Sequence, residues 1–235
     1  MGLQMSSVLA EAGVNLVLAA RKLERCEAVG KEFEEKYGIK TLAVTCDITK
    51  PEDCQNLADV AMKEFGRIDI LINNSGVTWG DDFFKHSLKG WQKVIDTNLT
   101  GNFILTQAVA RYMKDKGGMK ILNVSSTGGI RAPRRQQTPA YNASKAALIH
   151  LTADLSLQLA QYNIHVNAIA PGYFPSGMTD IAGFMEKTME AAKAINPFGR
   201  IGNDDDLKGA VLFFCSKASD YVTGQTLVID GGSSL

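Results

Sequence analysis

Two short runs, IDILIN at residues 68–73 and KILNV at residues 120–124, decide how this chain folds. Each run is rich in isoleucine, leucine and valine and lacks the polar and apolar alternation of a strand with one face in water. Strands of this kind are typical of a parallel sheet that helices cover on both faces. Outward from these two runs, similar strands alternate with longer helical patterns. The alternation indicates successive βαβ units around a parallel sheet.

The strands and helices that we predict alternate along the whole chain. The predicted strands are residues 14–20, 41–46, 68–73, 120–124, 165–169 and 226–229. The predicted helices are residues 2–12, 23–37, 51–65, 88–114, 141–161, 186–195 and 205–215. The fourth helix is expected to break near Asn98, and Thr49 with Glu52 is expected to form a capping box for the third. No repeat, low-complexity tract or linker divides the sequence, so we predict a single domain of residues 1–235.

Composition and charge exclude several classes of protein. Of the 235 residues, 45% are hydrophobic and 21% are charged, which excludes a disordered or fibrous chain. Twenty-five basic side chains balance 25 acidic ones without a block of like charge, which argues against nucleic-acid or membrane binding through bulk charge. No apolar run approaches the roughly 20 residues that cross a bilayer, and the first residues resemble neither a signal nor a transit peptide. We expect a cytoplasmic protein, with a peroxisomal address at residues 233–235 as an alternative.

The four cysteines indicate neither a metal site nor a disulfide framework. They are scattered along the chain, at Cys26, Cys46, Cys54 and Cys215. None has a cysteine or histidine partner at the spacing of metal ligands. We therefore expect core thiols and no bound metal.

The segment YNASK, residues 141–145, places a tyrosine and a lysine on one face of a helix. Tyr141 and Lys145 are four residues apart, and an ammonium close to a phenol lowers the pKa of the phenol. A general acid or base for a carbonyl and alcohol pair requires such a phenol. Tyr112 and Lys116 have the same spacing, so spacing alone does not select between the two pairs.

The surroundings of the two tyrosines distinguish them. Tyr112 lies near the polar end of a predicted helix, where a side chain is solvated. Tyr141 begins a helix 15 residues after Ser126. Ser125 and Ser126 end a buried strand, at the edge of the sheet where active sites of α/β proteins gather. We therefore favour Tyr141 and Lys145 as the chemical pair.

Five motifs follow one another in the order typical of one enzyme family. They are NNSG at residues 73–76, NLTG at 98–101, NVSS at 123–126, YNASK at 141–145 and PGYFPS at 171–176. On these motifs the chain resembles the short-chain dehydrogenase/reductase family over nearly its whole length. The resemblance implies an α/β fold with a Rossmann-type, doubly wound parallel sheet in three layers. It also implies a homo-oligomer, either a dimer or a tetramer.

The resemblance further implies catalytic roles for four residues. Tyr141 would donate or accept the proton, and Lys145 would modulate the pKa of Tyr141 and contact the cofactor ribose. Ser126 would hold the carbonyl oxygen, and Asn98 would hold a water of the proton relay. Each residue also has a purely structural interpretation, because serines can satisfy the backbone at a strand end and an asparagine can stop a helix. The ordered set of motifs favours the functional interpretation.

The end of the strand at residues 14–20 bears on the choice of cofactor. A carboxylate there commonly binds the ribose of NAD, but this chain has Ala20 followed by Arg21 and Lys22. Two cations without a carboxylate favour the 2′-phosphate of NADP(H), and the alternative is a solvated helix start. By resemblance, the other contacts of the cofactor would be Asp47, Ile48, Asn74, Ser75, Gly76, Tyr141, Lys145, Pro171, Gly172, the Phe174 backbone and Ser176.

Two features bear on the substrate. Apolar residues follow the PG turn, where the family has its substrate lid: Phe174, Met178, Phe184, Met185 and Met189. Cations lie between Ser126 and Tyr141: Arg131, Arg134 and Arg135. An apolar slot with a cationic mouth suits an acyl chain on an acidic carrier or a carboxylated substrate, whereas the alternative is a solvated basic loop. The segments PGYFPSGMT and VTGQTLVIDGG most resemble the 3-oxoacyl-carrier-protein reductase branch, with a sugar-acid (gluconate-type) or polyol dehydrogenase as the alternative.

The beginning of the chain departs from the pattern of the family. Gly2 matches the last glycine of the glycine-rich turn, so the first strand and most of that turn are expected to be missing. That strand would lie between the strands at 14–20 and 68–73, and without it backbone groups of both are unpaired. We therefore expect this chain to be unstable and to bind NADPH poorly, until about 15–25 further residues complete the unit. The alternative from another class is a non-catalytic fragment that acts as a binding or regulatory partner.

Overall fold

The computed structural model describes residues 1–114, 116–133, 137–175, 190 and 193–235. Its strands are β1 (Leu16–Ala20), β2 (Thr41–Thr45), β3 (Ile70–Asn73), β4 (Met119–Val124), β5 (Ile164–Pro171) and β6 (Thr226–Ile229). Its helices are α1 (Gly2–Glu11), α2 (Leu23–Tyr37), α3 (Pro51–Phe65), α4 (Leu88–Ile95), α5 (Gly101–Met113), α6 (Pro139–Leu159) and α7 (Lys208–Phe214). A π-helical turn, Asp96–Thr100, joins α4 to α5. The break predicted near Asn98 is therefore confirmed.

The strands pair in parallel. β1 pairs with β2, and β3, β4, β5 and β6 pair in that order. Ile70 lies opposite Lys120, and Val124 lies opposite Ile169. This register brings the carboxyl ends of β3, β4 and β5 side by side, which is where ligands bind in sheets of this type.

Helices cover both faces of the strands. Val17 of β1 and Leu71 of β3 contact a core that is completed by α3, α5 and α6. Leu18 of β1 and Ile72 of β3 contact a second core, completed by α1, α2 and α7. Because both groups of strands contribute to both cores, they lie side by side in one layer between two layers of helices. The three-layer α/β fold that the sequence predicts is confirmed.

β1 and β3 are not hydrogen-bonded to each other in the part of the chain that the structure describes. The even-numbered residues of β1 bond to β2, so the backbone groups of Val17 and Ala19 point away from β2. Those of Ile70 and Ile72 point away from β4. All six residues of β4 are buried, whereas Ala19 is exposed and Val17 is half-buried. Two strand edges are therefore unpaired in the described residues.

Most element ends follow local signals in the sequence. α2 and α3 cover the predicted residues, and each is followed by a glycine in the left-handed region, Gly38 with φ 68° and Gly66 with φ 71°. α7 begins three residues later than predicted, because the Asn203 side chain accepts the N–H groups of residues 205 and 206 in a turn. The predicted helix at 186–195 falls mostly outside the described residues.

The predicted capping box of Thr49 and Glu52 is wrong. The N-cap residue of α3 is Lys50, without a side-chain cap. The Thr49 hydroxyl instead donates to Asp47 Oδ1 at 2.8 Å, and Asp53 Oδ2 accepts the Asp47 N–H at 2.9 Å. The loop after β2 is therefore folded around Asp47, so Thr49 is turned toward this loop and not toward the helix.

Candidate active site

The candidate site lies at the carboxyl end of β4, where predicted catalytic side chains from two elements meet. β4 ends at Val124 and is followed by Ser125 and Ser126. α6 carries Tyr141 and Lys145 in its first two turns. Lys145 Nζ donates to the Val124 carbonyl oxygen at 2.7 Å, which fixes α6 against the end of the strand.

The two serines after β4 have different partners. The buried Ser125 hydroxyl donates to the Lys145 carbonyl at 2.8 Å. The Ser126 hydroxyl is hydrogen-bonded to the Tyr141 phenol, and it accepts the Gly128 N–H at 3.1 Å. Ser125 therefore fastens α6 to the strand, whereas Ser126 is the serine that reaches Tyr141.

The pKa of Tyr141 does not fall as the sequence predicts. Burial raises this pKa above its ordinary value, and the Ser126 hydrogen bond opposes that shift only in part. Burial also lowers the pKa of Lys145 to about 8. The lysine Nζ lies 5.7 Å from the centre of the Tyr141 ring. Burial therefore dominates the shift, and Tyr141 at neutral pH is a protonated phenol, the form that donates a proton.

The second tyrosine and lysine pair lies elsewhere. The Tyr112 phenol donates to Asp59 Oδ1 at 2.6 Å in an exposed contact between α5 and α3, and Asp59 raises the pKa of Tyr112. Lys116 is exposed beyond the end of α5. Because α5 leads into the start of β4, this pair lies at the opposite end of that strand from Ser126.

Asn98 is buried in the π-helical turn between α4 and α5. Its Oδ1 accepts the Val77 N–H at 2.7 Å, and its Nδ2 donates to the Val77 carbonyl at 2.9 Å. The same Nδ2 donates to the Ser144 hydroxyl at 3.0 Å. The π turn therefore directs this side chain toward both the loop after β3 and the helix that carries Tyr141.

The loop after β3 holds three of the residues predicted to bind the cofactor: Asn74, Ser75 and Gly76. A Cβ at Gly76 would lie 3.4 Å from Asn98 Oδ1 and 3.5 Å from Lys145 Nζ. The start of α1 also lies against this loop, since a Cβ at Gly2 would lie 2.7 Å from Asn74 Nδ2. Catalytic and cofactor-binding candidates thus share one cradle, in which a Cβ at Gly76 would be in van der Waals contact with Asn98 and Lys145.

The residues around this cradle fit a nicotinamide dinucleotide. Asn102 is buried, and its Nδ2 contacts the Ser75 carbonyl at 3.5 Å and the Asn98 carbonyl at 2.7 Å. Its Oδ1 has no hydrogen-bond partner among the described residues. That oxygen is enclosed by protein, so the fit rests on Gly76, whose missing side chain leaves room beside Lys145 Nζ for a ribose hydroxyl.

The predicted adenine contacts lie beside the ends of β1 and β2. Ile48 is buried, Asp47 is half-buried, and Arg21 and Lys22 are exposed. Hydrogen bonds from Thr49 lower the pKa of Asp47, and the charge of Arg21 lowers it further. The structure therefore brings Arg21 close to Asp47.

The segment after β5 is tied to the rest of the fold. Pro171 ends β5, and the Gly172 N–H donates to the Ile229 carbonyl at 2.9 Å. The Phe174 side chain is buried in the second core, so its assignment to an apolar substrate lid is wrong. Ser176 lies outside the described residues. So do the other predicted lid residues: Met178, Phe184, Met185 and Met189.

Arg131 lies in the loop after Ser126, as predicted, but its guanidinium is engaged. Nη1 donates to the carbonyls of Ser234 and Leu235 at 2.9 and 2.8 Å. Arg131 therefore fastens the last residues of the chain to this loop, which weakens its interpretation as part of a cationic mouth. Arg134 and Arg135 lie outside the described residues.

Sequence reasoning missed several buried polar residues beneath the site. Asn73 Nδ2 donates to Asn123 Oδ1 at 2.8 Å, and Asn123 Nδ2 donates to the Thr152 hydroxyl at 2.8 Å. A sequence signal for this contact exists, because each of the two apolar strands has an asparagine near its end. Asn73 and Asn123 lie opposite each other in the paired strands. Ser144, the partner of Asn98, lies within the YNASK motif, but the sequence does not indicate that it contacts Asn98.

Within the described ranges, no group of three His, Cys, Asp or Glu side chains could hold a metal ion. The cysteines are free thiols. None of the described helices is long and apolar enough to cross a membrane.

Known proteins similar to this chain match it over almost its full length. A family model described as enoyl-(acyl carrier protein) reductase matches residues 1–234. The chain is 34% identical over 231 residues to a 3-oxoacyl-[acyl-carrier-protein] reductase of Aquifex aeolicus, covering 98% of this chain and 92% of that protein.

Two solved structures extend this similarity. One is a short-chain type dehydrogenase/reductase from Mycobacterium marinum, with a TM-score of 0.93 and 34% identity over 99% of this chain and 90% of that chain. The other is a gluconate 5-dehydrogenase from Burkholderia cenocepacia in complex with NADP and tartrate, with a TM-score of 0.90 and 33% identity over 99% and 90% of the two chains.

Proposed function

The chain belongs to the short-chain dehydrogenase/reductase family, and on that premise we propose that it is an NADP(H)-dependent oxidoreductase that interconverts a ketone and a secondary alcohol. The observation that carries the proposal is the meeting of Ser126, Tyr141 and Lys145 at the end of β4. The Ser126 hydroxyl and the protonated Tyr141 phenol can together hold a carbonyl oxygen, and the phenol can then give that oxygen a proton.

In the proposed reaction, Ser126, Tyr141 and Lys145 have different tasks. In reduction, the bound nicotinamide cofactor supplies a hydride to the carbonyl carbon. Ser126 and Tyr141 hold the carbonyl oxygen, on which negative charge develops. Tyr141 donates its phenolic proton to that oxygen, and its raised pKa keeps the proton in place until then. Lys145, whose pKa is about 8, exchanges its own proton near that pH and can resupply Tyr141.

We propose NADP(H) and not NAD(H) as the cofactor because of the charges on the surface beside β1. Arg21 and Lys22 are exposed there, and the residue before them is an alanine, which cannot repel a phosphate. A guanidinium binds phosphate through two parallel hydrogen bonds. The similar Burkholderia enzyme was solved with NADP. The test compares the dissociation constants of NADPH and NADH by fluorescence titration, and equal values would contradict the proposal.

For the substrate, 3-oxoacyl thioesters are placed first and sugar acids or polyols second. The first rests on the segments at 171–179 and 222–232 and on the similarity to the Aquifex reductase. The second rests on the similarity to the Burkholderia gluconate 5-dehydrogenase. The engagement of Arg131 with the end of the chain removes one argument for an acidic carrier.

A panel assay of NADPH oxidation separates these classes. The panel contains a 3-oxoacyl thioester, a keto sugar acid and a ketohexose, each with the unmodified chain and with Tyr141→Phe. If the unmodified chain reduces the thioester and Tyr141→Phe does not, the result supports a 3-oxoacyl thioester as the substrate. If the chain reduces the keto sugar acid or the ketohexose instead, the substrate is assigned to the sugar acids or polyols. A folded chain that reduces none of them supports the non-catalytic binding or regulatory class.

We also propose that the chain forms a cytoplasmic homo-oligomer, either a dimer or a tetramer. Large apolar side chains are exposed next to α4, among them Phe83, Phe84 and Leu88. Exposed apolar groups of this size favour association with a second copy. Light scattering after size exclusion measures the mass directly, and a monomer at micromolar concentration would contradict the proposal.

A further inference from the structure

Ser144 lies between two of the candidate catalytic elements and has no role in the mechanism above. The residue is fully buried on α6. Its hydroxyl donates to the Tyr141 carbonyl at 2.7 Å and accepts from Asn98 Nδ2 at 3.0 Å. One side chain therefore connects the backbone of the first turn of α6 with the amide of Asn98.

The side-chain amide of Asn98 has its other hydrogen-bond partner in the loop after β3. Its amide exchanges two hydrogen bonds with the backbone of Val77, in the loop after β3. The backbone of the π-helical turn that carries Asn98 packs against α6, but neither of these two bonds joins the amide to that helix. Ser144 supplies the bond on the α6 side, so the three bonds together fix the amide between the loop and the helix.

The position of this amide affects the proton path because the amide lies close to Lys145. A Cβ at Gly76 would be 3.4 Å from Asn98 Oδ1 and 3.5 Å from Lys145 Nζ, so these two polar groups face the same short stretch of backbone. Lys145 follows Ser144 directly in the chain. A shift of Asn98 relative to α6 therefore changes its separation from Lys145.

We propose that Ser144 is a positioning residue that holds the Asn98 amide at a fixed distance from Tyr141 and Lys145. The inference rests on the proposed function for its kinetic consequence, but the contact itself can be tested without turnover. Loss of the hydroxyl leaves a buried N–H of Asn98 without its acceptor on α6 and releases the Tyr141 carbonyl. A displacement of about 1 Å at a reacting group can reduce turnover 100-fold.

Ser156 provides a matched control on the same helix. It is buried, and its hydroxyl donates to the Ala153 carbonyl at 2.7 Å, the same bond to the third preceding residue that Ser144 makes. It lies 12 residues further along α6, which is about 18 Å along the helix axis. Ser144→Ala and Ser156→Ala therefore remove the same local bond, but only Ser144→Ala removes a contact with Asn98.

The kinetic experiment compares kcat, KM and the pH profile of both variants with the unmodified enzyme. We expect Ser144→Ala to lower kcat about 10- to 100-fold with KM unchanged and to shift the pH dependence of kcat. Ser156→Ala should retain the kcat and the pH dependence of the unmodified enzyme. In an Asn98→Ala background, Ser144→Ala should cause no further loss, because the partner through which it acts is gone. Equal losses in the two serine variants, or an additive loss in the double variant, would overturn the proposal.

A second experiment needs no substrate and so separates this proposal from the proposed function. Hydrogen exchange of the Asn98 side-chain amide is followed by nuclear magnetic resonance. We expect it to be about fivefold faster in Ser144→Ala, the change that loss of one hydrogen bond gives, and unaltered in Ser156→Ala. Unaltered exchange in Ser144→Ala overturns the proposal whatever the activity. If Ser144→Ala does not fold, Ser144→Cys, with a weaker donor and acceptor, should give an intermediate increase, and no increase counts against the proposal.

Discussion

Lys145 Nζ donates a 2.7 Å hydrogen bond to the carbonyl oxygen of Val124, the last residue of β4. The ammonium is buried at this point, and burial lowers its pKa from 10.5 to about 8. A backbone carbonyl replaces only part of the hydration that the charged group loses. The contact therefore sets where the lysine lies, and burial at that place sets how readily it gives up a proton.

This pKa shift makes stability depend on pH. The folded protein binds the Lys145 proton less tightly than the unfolded chain, so the unfolded chain carries more protons between pH 8 and 10.5. Stability from this residue therefore rises with pH across that interval and is lost below it. We expect a rise of about 2–3 kcal/mol in the free energy of unfolding, measured by urea titration from about pH 8 to pH 10.

The matched variant for this measurement is Lys145→Met, which keeps an unbranched apolar side chain. It should show little of the rise, because the titrating group is absent. A rise of equal size in the variant would assign the pH dependence to other groups.

Tyr141→Phe should abolish most turnover while NADPH binding is retained. The change removes the phenolic proton and the hydrogen bond with Ser126 but keeps the ring. A loss of a positioned general acid lowers kcat by about 10²- to 10⁴-fold. Steady-state kinetics give kcat, and fluorescence titration gives the affinity for NADPH.

Tyr112→Phe is the control for that experiment. It removes a phenol at the same spacing from a lysine, but this phenol bonds only to Asp59 among the described residues, in an exposed contact. Turnover should be unchanged. If Tyr112→Phe were the damaging change, the wrong tyrosine would have been assigned.

Arg21→Ala should weaken NADPH selectively. A charge-assisted hydrogen bond contributes about 1.5–3 kcal/mol, which corresponds to roughly a 10- to 150-fold loss in affinity for NADPH and none for NADH. The control is Lys31→Ala, an exposed cation further along α2 that pairs with Glu35. An equal loss for both cofactors would show that Arg21 does not bind the 2′-phosphate.

The open edges of β1 and β3 should be visible in backbone hydrogen exchange. The N–H groups of Val17 and Ala19 point away from β2, so they should exchange much faster than those of Leu18 and Ala20, which bond to it. Nuclear magnetic resonance at several times after transfer to D₂O gives the individual rates. Equal protection of the two sets would mean that the outer edge of β1 is covered.

A strand supplied between these edges should reverse that difference. A chain extended before Met1 by a segment that pairs with both edges should protect Val17 and Ala19, melt at a higher temperature and bind NADPH more tightly. Unchanged exchange at Val17 and Ala19 in the extended chain would mean that the added segment does not pair with β1.

Most helices and strands, and the family, can be predicted from the amino-acid sequence. Apolar runs such as 68–73 and 120–124 indicate buried parallel strands, and α2 and α3 have the predicted bounds, each followed by a glycine in the left-handed region. These are local signals, because side-chain period and backbone conformation depend on neighbouring residues. The order of the five motifs sufficed for the family because it requires no distances.

The hydrogen-bond partners and pKa shifts within the candidate site are visible only in the tertiary structure. It sends Ser125 to the Lys145 carbonyl and Ser126 to Tyr141, although the two serines are adjacent. It raises the pKa of Tyr141, and it joins Asn98 to Ser144 across 46 positions of the chain. Burial and contacts between distant residues produce each of these results. A sequence pattern carries neither the distance between two side chains nor the amount of water around them, which is why these results required the folded chain.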